Sequence, residues 1–217
     1  MAEPLKLYSA KGSGSVAVEA ALTLLGRPYV IVAEAPTWTQ AGREAVRPVN
    51  AMEQLPVLIT PQGEVMTESA AILIWLGDLH PQAGLAPPPD HPDRGAYLRW
   101  MVFVPAAIYA MYYLLDDPAR MVDGEAAQHE LRERALERIK FCWKVMEAQV
   151  EPAPFVFGPQ LSLLDVYLTV VSRWNPRRRW FEEACPKLAS VARRVDALPE
   201  LQALWAERMP FEPGWEG

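Results

Sequence analysis

The stretch Gln54-Leu55-Pro56-Val57-Leu58-Ile59-Thr60-Pro61-Gln62-Gly63-Glu64-Val65-Met66-Thr67-Glu68-Ser69-Ala70-Ala71-Ile72 holds the most structural information in the chain. Two short apolar runs, Pro56 to Ile59 and Glu64 to Met66, flank Thr60-Pro61-Gln62-Gly63. That is a turn between strands, so an antiparallel hairpin is expected. Proline cannot donate to a sheet ladder, so Pro56 at a strand start marks an edge or a bend, or simply initiates the strand. Glu68-Ser69 then opens a helix that should run to about Leu79. Backbone N–H groups at such a start can receive a carboxylate, and Glu68 can hold an ammonium group; a plain helix cap reads equally well.

Upstream, Leu5 to Tyr8 reads as a strand and Lys11-Gly12-Ser13-Gly14-Ser15 as a small-residue loop. Val16, Ala20, Leu24 and Val18, Ala21, Leu25 recur at helical spacing, and Gly26 supplies a stop. Tyr29 to Val32 is a β-branched second strand, so the first unit is strand–helix–strand with a parallel pair. After a weaker, proline-containing stretch comes the hairpin and its helix. The order β-α-β, variable segment, β-β-α is that of a thioredoxin-like α/β domain, placed at residues 1–82. Residues 83–92, rich in proline, read as a linker. Residues 93–217 read as an all-helical domain, with helices expected at Arg94 to Leu115, Glu125 to Val150, Leu163 to Trp174, Pro186 to Ala197 and Glu200 to Arg208.

The 217 residues carry a net charge of −6 and no basic stripe, which argues against a nucleic-acid partner. The one basic run, Arg177-Arg178-Arg179, reads as a solvated helix end. Cys142 and Cys185 lack the spacing of a zinc site or a dithiol motif, so no metal is expected, and two unpaired thiols suit a reducing cytoplasm. The longest apolar run, Val102 to Leu115, contains Pro105 and falls short of the ~20 residues that span a bilayer, so no membrane span is expected. The N-terminus lacks the basic and apolar regions of a signal peptide.

Gln54-Leu55-Pro56-Val57-Leu58, Gly63, Glu68-Ser69-Ala70-Ala71-Ile72 and Trp75-Leu76 together resemble the N-terminal domain of the glutathione transferase superfamily, in its cytosolic, bacterial, serine-like form. Ser162-Leu163-Leu164-Asp165 resembles the capping box of that family's helical domain, and Pro186-Lys187-Leu188 through Leu198-Pro199 its ending. The resemblance covers nearly the whole chain. It implies a cis Leu55–Pro56 bond, pairing of the Leu55 backbone with the cysteinyl part of glutathione, and binding of the γ-glutamyl end by Glu68 and Ser69, with Gln54 as a second contact. Ser162 and Asp165 are then structural.

The same resemblance implies that glutathione serves as co-substrate and that a residue after the first strand holds its sulfur as thiolate. Counting from Tyr8, itself within the strand, gives Ser13; aligning on the helix gives Gly14, with Ser15 beside it. No cysteine is present there, which disfavours the thiol-exchange subclasses. Lys11 reads as a solvated lysine. Tyr109, Tyr112, Tyr113 and Phe103, with Met111, are the expected wall for a small hydrophobic electrophile, and Trp38 borders it. Arg177 stands where a maleylacetoacetate-isomerase-like subclass has an arginine, but the loop signature of that subclass is missing. A homodimer is implied, with Met52 inserting into the partner. The alternatives are a non-catalytic binding protein with this fold and a glutathione-dependent isomerase or dehalogenase.

Overall fold

A computed structural model describes residues 3–211, so the outermost residues of both expected domains, 1–2 and 212–217, lie outside it. The sheet is built from β1 (Leu5–Ser9), β2 (Tyr29–Glu34), β3 (Val57–Ile59) and β4 (Val65–Met66), in the order β2-β1-β3-β4. β1 runs parallel to β2 and antiparallel to β3, and β3 and β4 form the expected hairpin. β1 is central because Leu5, Leu7 and Ser9 alternate inward. Gly63 takes φ 86 at the turn, where glycine carries no steric cost.

Helix α1 (Ser15–Leu24) is buried from Ser15 to Leu22. It packs against α3 (Ser69–Leu79) and against α7 (Leu163–Val171) of the helical part. Covered on several sides, it is apolar nearly all round, and Glu19 is its single charge. The proline-containing stretch forms a short helix, α2 (Gln40–Val46), capped by Thr39 Oγ1, which accepts from Gly42 N.

After the sheet, the Arg94 guanidinium grips the Asp78 carboxylate through two bonds of 2.8 Å and donates to the Pro87 carbonyl at 2.9 Å. These bonds fix the proline-rich connection. The helical run that follows is continuous over 23 residues, Arg94–Asp116. It comprises α4 (Arg94–Phe103), a π turn at Val104–Ile108, a 3-10 turn at Tyr109–Met111 and α5 (Tyr112–Asp116). By length and composition alone this run is long and apolar enough to cross a membrane, a test that a core helix also passes. Pro105 is absorbed in the π turn, and the run exceeds the apolar stretch because it begins at Arg94 rather than at Val102. Its inward residues Tyr97, Trp100, Met101, Val104, Ile108 and Tyr112 are buried in the core, which accounts for their apolar character.

The remaining helices are α6 (Glu125–Gln149), α8 (Arg177–Ala184), α9 (Pro186–Asp196) and α10 (Gln202–Arg208). One apolar core joins α1, α3 and the helices of the second half. The start of α7 is the expected capping box. The buried Asp165 carboxylate accepts from Ser162 N at 2.7 Å, Ser162 Oγ at 2.6 Å and Val156 N at 2.9 Å.

Helix α8 was not expected, and it corrects the reading of the arginine triplet. Arg178 is buried and pairs with Asp196 at 2.9 Å, Arg179 faces solvent beside Glu183, and Arg177 opens the helix at φ 73. The triplet is therefore split between core and surface. Asp196, half-buried on α9, supplies the counter-charge that local sequence does not reveal.

Candidate functional site

The topology brings three segments to one end of the sheet. Tyr8, near the end of β1, pairs with Val57 at the start of β3, and Leu58 pairs with Met66 at the end of β4. The loop after β1, the segment before β3 and the start of α3 therefore share one rim. Ser13, Leu55–Pro56 and Glu68–Ser69 are the residues those segments carry.

Ser13 sits one residue before the Gly14 N-cap of α1 and is half-buried. Its Oγ lies 2.8 Å from the Ala10 carbonyl and 2.6 Å from Ser15 Oγ, and it accepts from Ser15 N at 3.3 Å. The first-turn N–H groups of α1 are taken by Ser13 Oγ and by the Ser13 and Gly14 carbonyls, so the helix favours a developing anion there through its dipole. Ser15 is wholly buried behind Ser13, so a ligand meets it only through Ser13. Gly12 N donates to the Arg208 carbonyl at 2.8 Å, which ties this loop to α10. Lys11 is exposed, as expected, and its backbone N–H is taken by Glu34.

Gly14 is fixed by its neighbour. A Cβ there would lie 2.5 Å from Tyr109 Oη and 2.6 Å from Tyr109 Cε1. The ring cannot easily retreat, because it packs against Trp174 at a centroid distance of 4.8 Å. Gly14→Ala is therefore expected to cost about 1–3 kcal/mol through overpacking. A thermal melt checks this, and an unchanged melting temperature would mean that the loop opens freely.

The Leu55–Pro56 peptide is cis. Leu55 is half-buried and Gln54 exposed, and the Gln54 carbonyl accepts from Asn50 Nδ2 at 3.0 Å. Glu68 is exposed at φ 63, ψ 103, immediately before α3. A non-glycine residue held in that region costs of order 1–3 kcal/mol and is found chiefly where a site needs it. Ser69 is buried, with its Oγ 2.7 Å from Tyr167 Oη. Burial keeps Tyr167 protonated far above the usual phenol range, so it can donate to Ser69 and leave the serine proton for a ligand.

The four residues of the expected electrophile wall have different surroundings. Tyr109 faces Gly14 and Trp174, and burial pushes its hydroxyl up to about 12, so it is neutral. Tyr112 is buried and spends its hydroxyl on the Asn175 carbonyl. Tyr113 is 46% exposed beneath the Arg120 guanidinium, and Phe103 lies edge-on against Trp100. Trp38 is exposed in the segment before α2. Among the described residues, no group of three or more His, Cys, Asp or Glu side chains is placed to hold a metal.

Residues 7–84 match the family model described as the glutathione S-transferase N-terminal domain. The uncharacterised GST-like protein YncG of Escherichia coli K12 is 32% identical over 199 residues, covering 91% of this chain and 95% of that protein. The chain belongs to the glutathione S-transferase family. Solved structures agree in fold. A glutathione transferase homologue from Sulfitobacter with bound glutathione is 23% identical, covers 95% of this chain and 99% of its own, and superposes with a TM-score of 0.83. A glutathione S-transferase from Methylobacterium radiotolerans, in complex with glutathione sulfonate, is 27% identical over 97% of this chain and 96% of its own, with a TM-score of 0.76.

Two features of this family member were not read from its sequence. Trp174 packs against both Tyr109 and Tyr112, and its Nε1 donates to the Gly12 carbonyl at 2.8 Å. Its only local signal was its place beside the arginine run. Glu19, the lone charge in an apolar helix, carries the other. Its partner Arg208 is 189 positions away, and only the charge out of place on α1 hinted at it.

Proposed function

We propose that this chain is a glutathione transferase that holds glutathione as its thiolate and directs it at small hydrophobic electrophiles. The observation that carries this reading is Ser13, a half-buried hydroxyl at the N-terminus of α1, on the same rim of the sheet as Pro56 and Glu68–Ser69. A free thiol has a pKa of roughly 8.5, so at neutral pH most glutathione would arrive protonated. A hydroxyl donor and a helix N-terminus both favour the anion.

In this reading the cysteinyl backbone of glutathione pairs with Leu55, Gln54 adds a contact, and Glu68 and Ser69 take the ammonium and carboxylate of the γ-glutamyl end. Tyr109 and Trp174 form the apolar wall beside the sulfur, with the neutral Tyr109 hydroxyl as a donor to the electrophile. The related structures with glutathione and glutathione sulfonate support the ligand. The protein works as a twofold dimer in the cytoplasm, where its buried, unpaired Cys142 and Cys185 stay reduced and the 70% exposed Met52 inserts into the partner.

Turnover of a chromogenic aromatic electrophile tests the reading. Glu68→Ala is expected to raise KM for glutathione roughly 10- to 100-fold, the worth of one charge-assisted bond, while kcat changes little. An unchanged KM would remove Glu68 from the site. No turnover by the wild-type protein with a panel of electrophiles would contradict the transferase assignment.

A further inference from the structure

Behind Ser13, the loop hydroxyls lead inward. Ser13 Oγ is 2.6 Å from Ser15 Oγ, which is 2.6 Å from Ser9 Oγ, and Ser9 donates to the Glu19 carboxylate. Ser9, Ser15 and Glu19 are all wholly buried. Arg208 closes the chain from α10. Its Nε lies 3.1 Å from Glu19 Oε1 and 2.9 Å from Oε2, and its other nitrogens donate to Ser9 Oγ at 3.0 Å and to Glu34 at 2.8 Å. Only the bond to Oε1 is aligned, so Glu19 Oε2 has no hydrogen-bond donor among the described residues.

The hydrogen bonds balance in either direction along this chain. Pointing inward, Ser13 donates to Ser15, Ser15 to Ser9 and Ser9 to Glu19. Ser15 also accepts from Ala10 N at 3.1 Å, Ser9 accepts from Arg208, and the Ala10 carbonyl still receives Ser13 N at 3.2 Å. One lone pair of Ser13 is left facing outward. Pointing outward, a protonated Glu19 donates to Ser9, Ser9 to Ser15, Ser15 to Ser13, and Ser13 to an anion on the rim. No bonding capacity of the three serines is stranded in either state. A link that served only to hold α1 against α10 would need the Glu19–Arg208 pair alone.

We propose that Ser13, Ser15 and Ser9 relay the thiol proton of bound glutathione to Glu19. The proposal rests on the reading of Ser13 as the partner of the sulfur. The S–H bond breaks with its electron pair left on sulfur. Each serine oxygen gains one proton and passes one on, and an O–H bond forms on Glu19. One negative charge has then moved from Glu19 to sulfur, nothing is oxidised or reduced, and Ser13 ends as a donor to the thiolate it has produced. Glu19 is suited to the acceptor's part. Burial raises its carboxyl above the ordinary glutamate range, with Glu34 of β2 adding to this and Ser9 and Arg208 opposing it; Tyr29 of β2 is the other titratable group beside it.

The test follows thiolate absorbance of bound glutathione against pH, alongside calorimetry in buffers of different ionisation enthalpy. The wild-type protein is expected to form thiolate at neutral pH while releasing almost no proton to the buffer. Glu19→Gln is expected to bind glutathione, to move the thiolate midpoint up by about one unit, hence roughly two- to fivefold less thiolate at neutral pH, and to release a proton for whatever thiolate forms. Ser15→Ala interrupts the chain but leaves the Glu19–Arg208 pair, and the same rise is expected if Glu19→Gln does not fold. Release of a full proton by the wild type, or an unshifted midpoint in Ser15→Ala, overturns the relay while leaving the glutathione site standing. Failure of the wild type to bind glutathione overturns both.

Discussion

Ser13→Ala is expected to lower kcat/KM for glutathione conjugation by about 10²–10³ at neutral pH, the usual loss when one donor to a developing anion is removed. The N-terminus of α1 remains, but a helix end at an exposed site contributes only about 0.3–1 kcal/mol to an anion. The deficit should shrink as pH rises past about 8.5, because the thiol then ionises without help. A pH–rate profile of wild type and variant shows this as convergence at the alkaline end. A profile displaced equally at all pH values would instead mean that Ser13 orients the electrophile or the loop. A variant as fast as wild type at neutral pH would move the role to Tyr109 or to the backbone N–H groups alone.

The second large effect is on stability. Asp165 is buried, and three donors converge on its carboxylate. Burial still lifts its pKa to about 6, above the ordinary aspartate range, against the pull of those bonds. Asp165→Ala strands the backbone N–H groups of Val156 and Ser162, each costing about 1–3 kcal/mol when buried without an acceptor. A loss of about 3 kcal/mol is expected, which for a chain of this size lowers Tm by roughly 6–12 °C. Ser162→Ala removes one cap and should cost about 1 kcal/mol. If Asp165→Ala melted with the wild type, the capping box would not be holding the start of α7.

What was legible in the sequence was local. The hairpin could be read because Thr60-Pro61-Gln62-Gly63 interrupts two apolar runs, and the parallel pair because a helix of the right length separates two β-branched segments. The capping box at Ser162 and Asp165 is likewise complete within four residues. Helix α2 escaped because Pro36 and Gly42 argue against a helix. In the fold Thr39 caps it, and the lack of a side chain lets Gly42 pass the Pro36 carbonyl, which would lie 2.1 Å from an added Cβ.

The site was legible only in part, for the same reason. Ser13, Pro56, Glu68 and Ser69 sit at element boundaries, where sequence signals are strongest. The groups behind and beside them come from far away in the chain. Trp174 reaches Gly12 from the turn after α7, Tyr167 reaches Ser69, and Arg208 reaches Glu19. Nothing in the local pattern marks such pairings, and the arginine triplet shows the hazard, since the buried Arg178 is met by Asp196 of α9 and the Thr169 carbonyl of α7. The helix from Arg94 was legible over almost its whole length, because its apolar positions recur through Pro105.

The most direct test of the account is calorimetric titration of the wild-type protein with reduced glutathione. Saturable binding at one site per chain, weakened by Glu68→Ala, is the predicted result. No heat at millimolar glutathione would contradict the account and would mean that the family fold is kept here without its ligand.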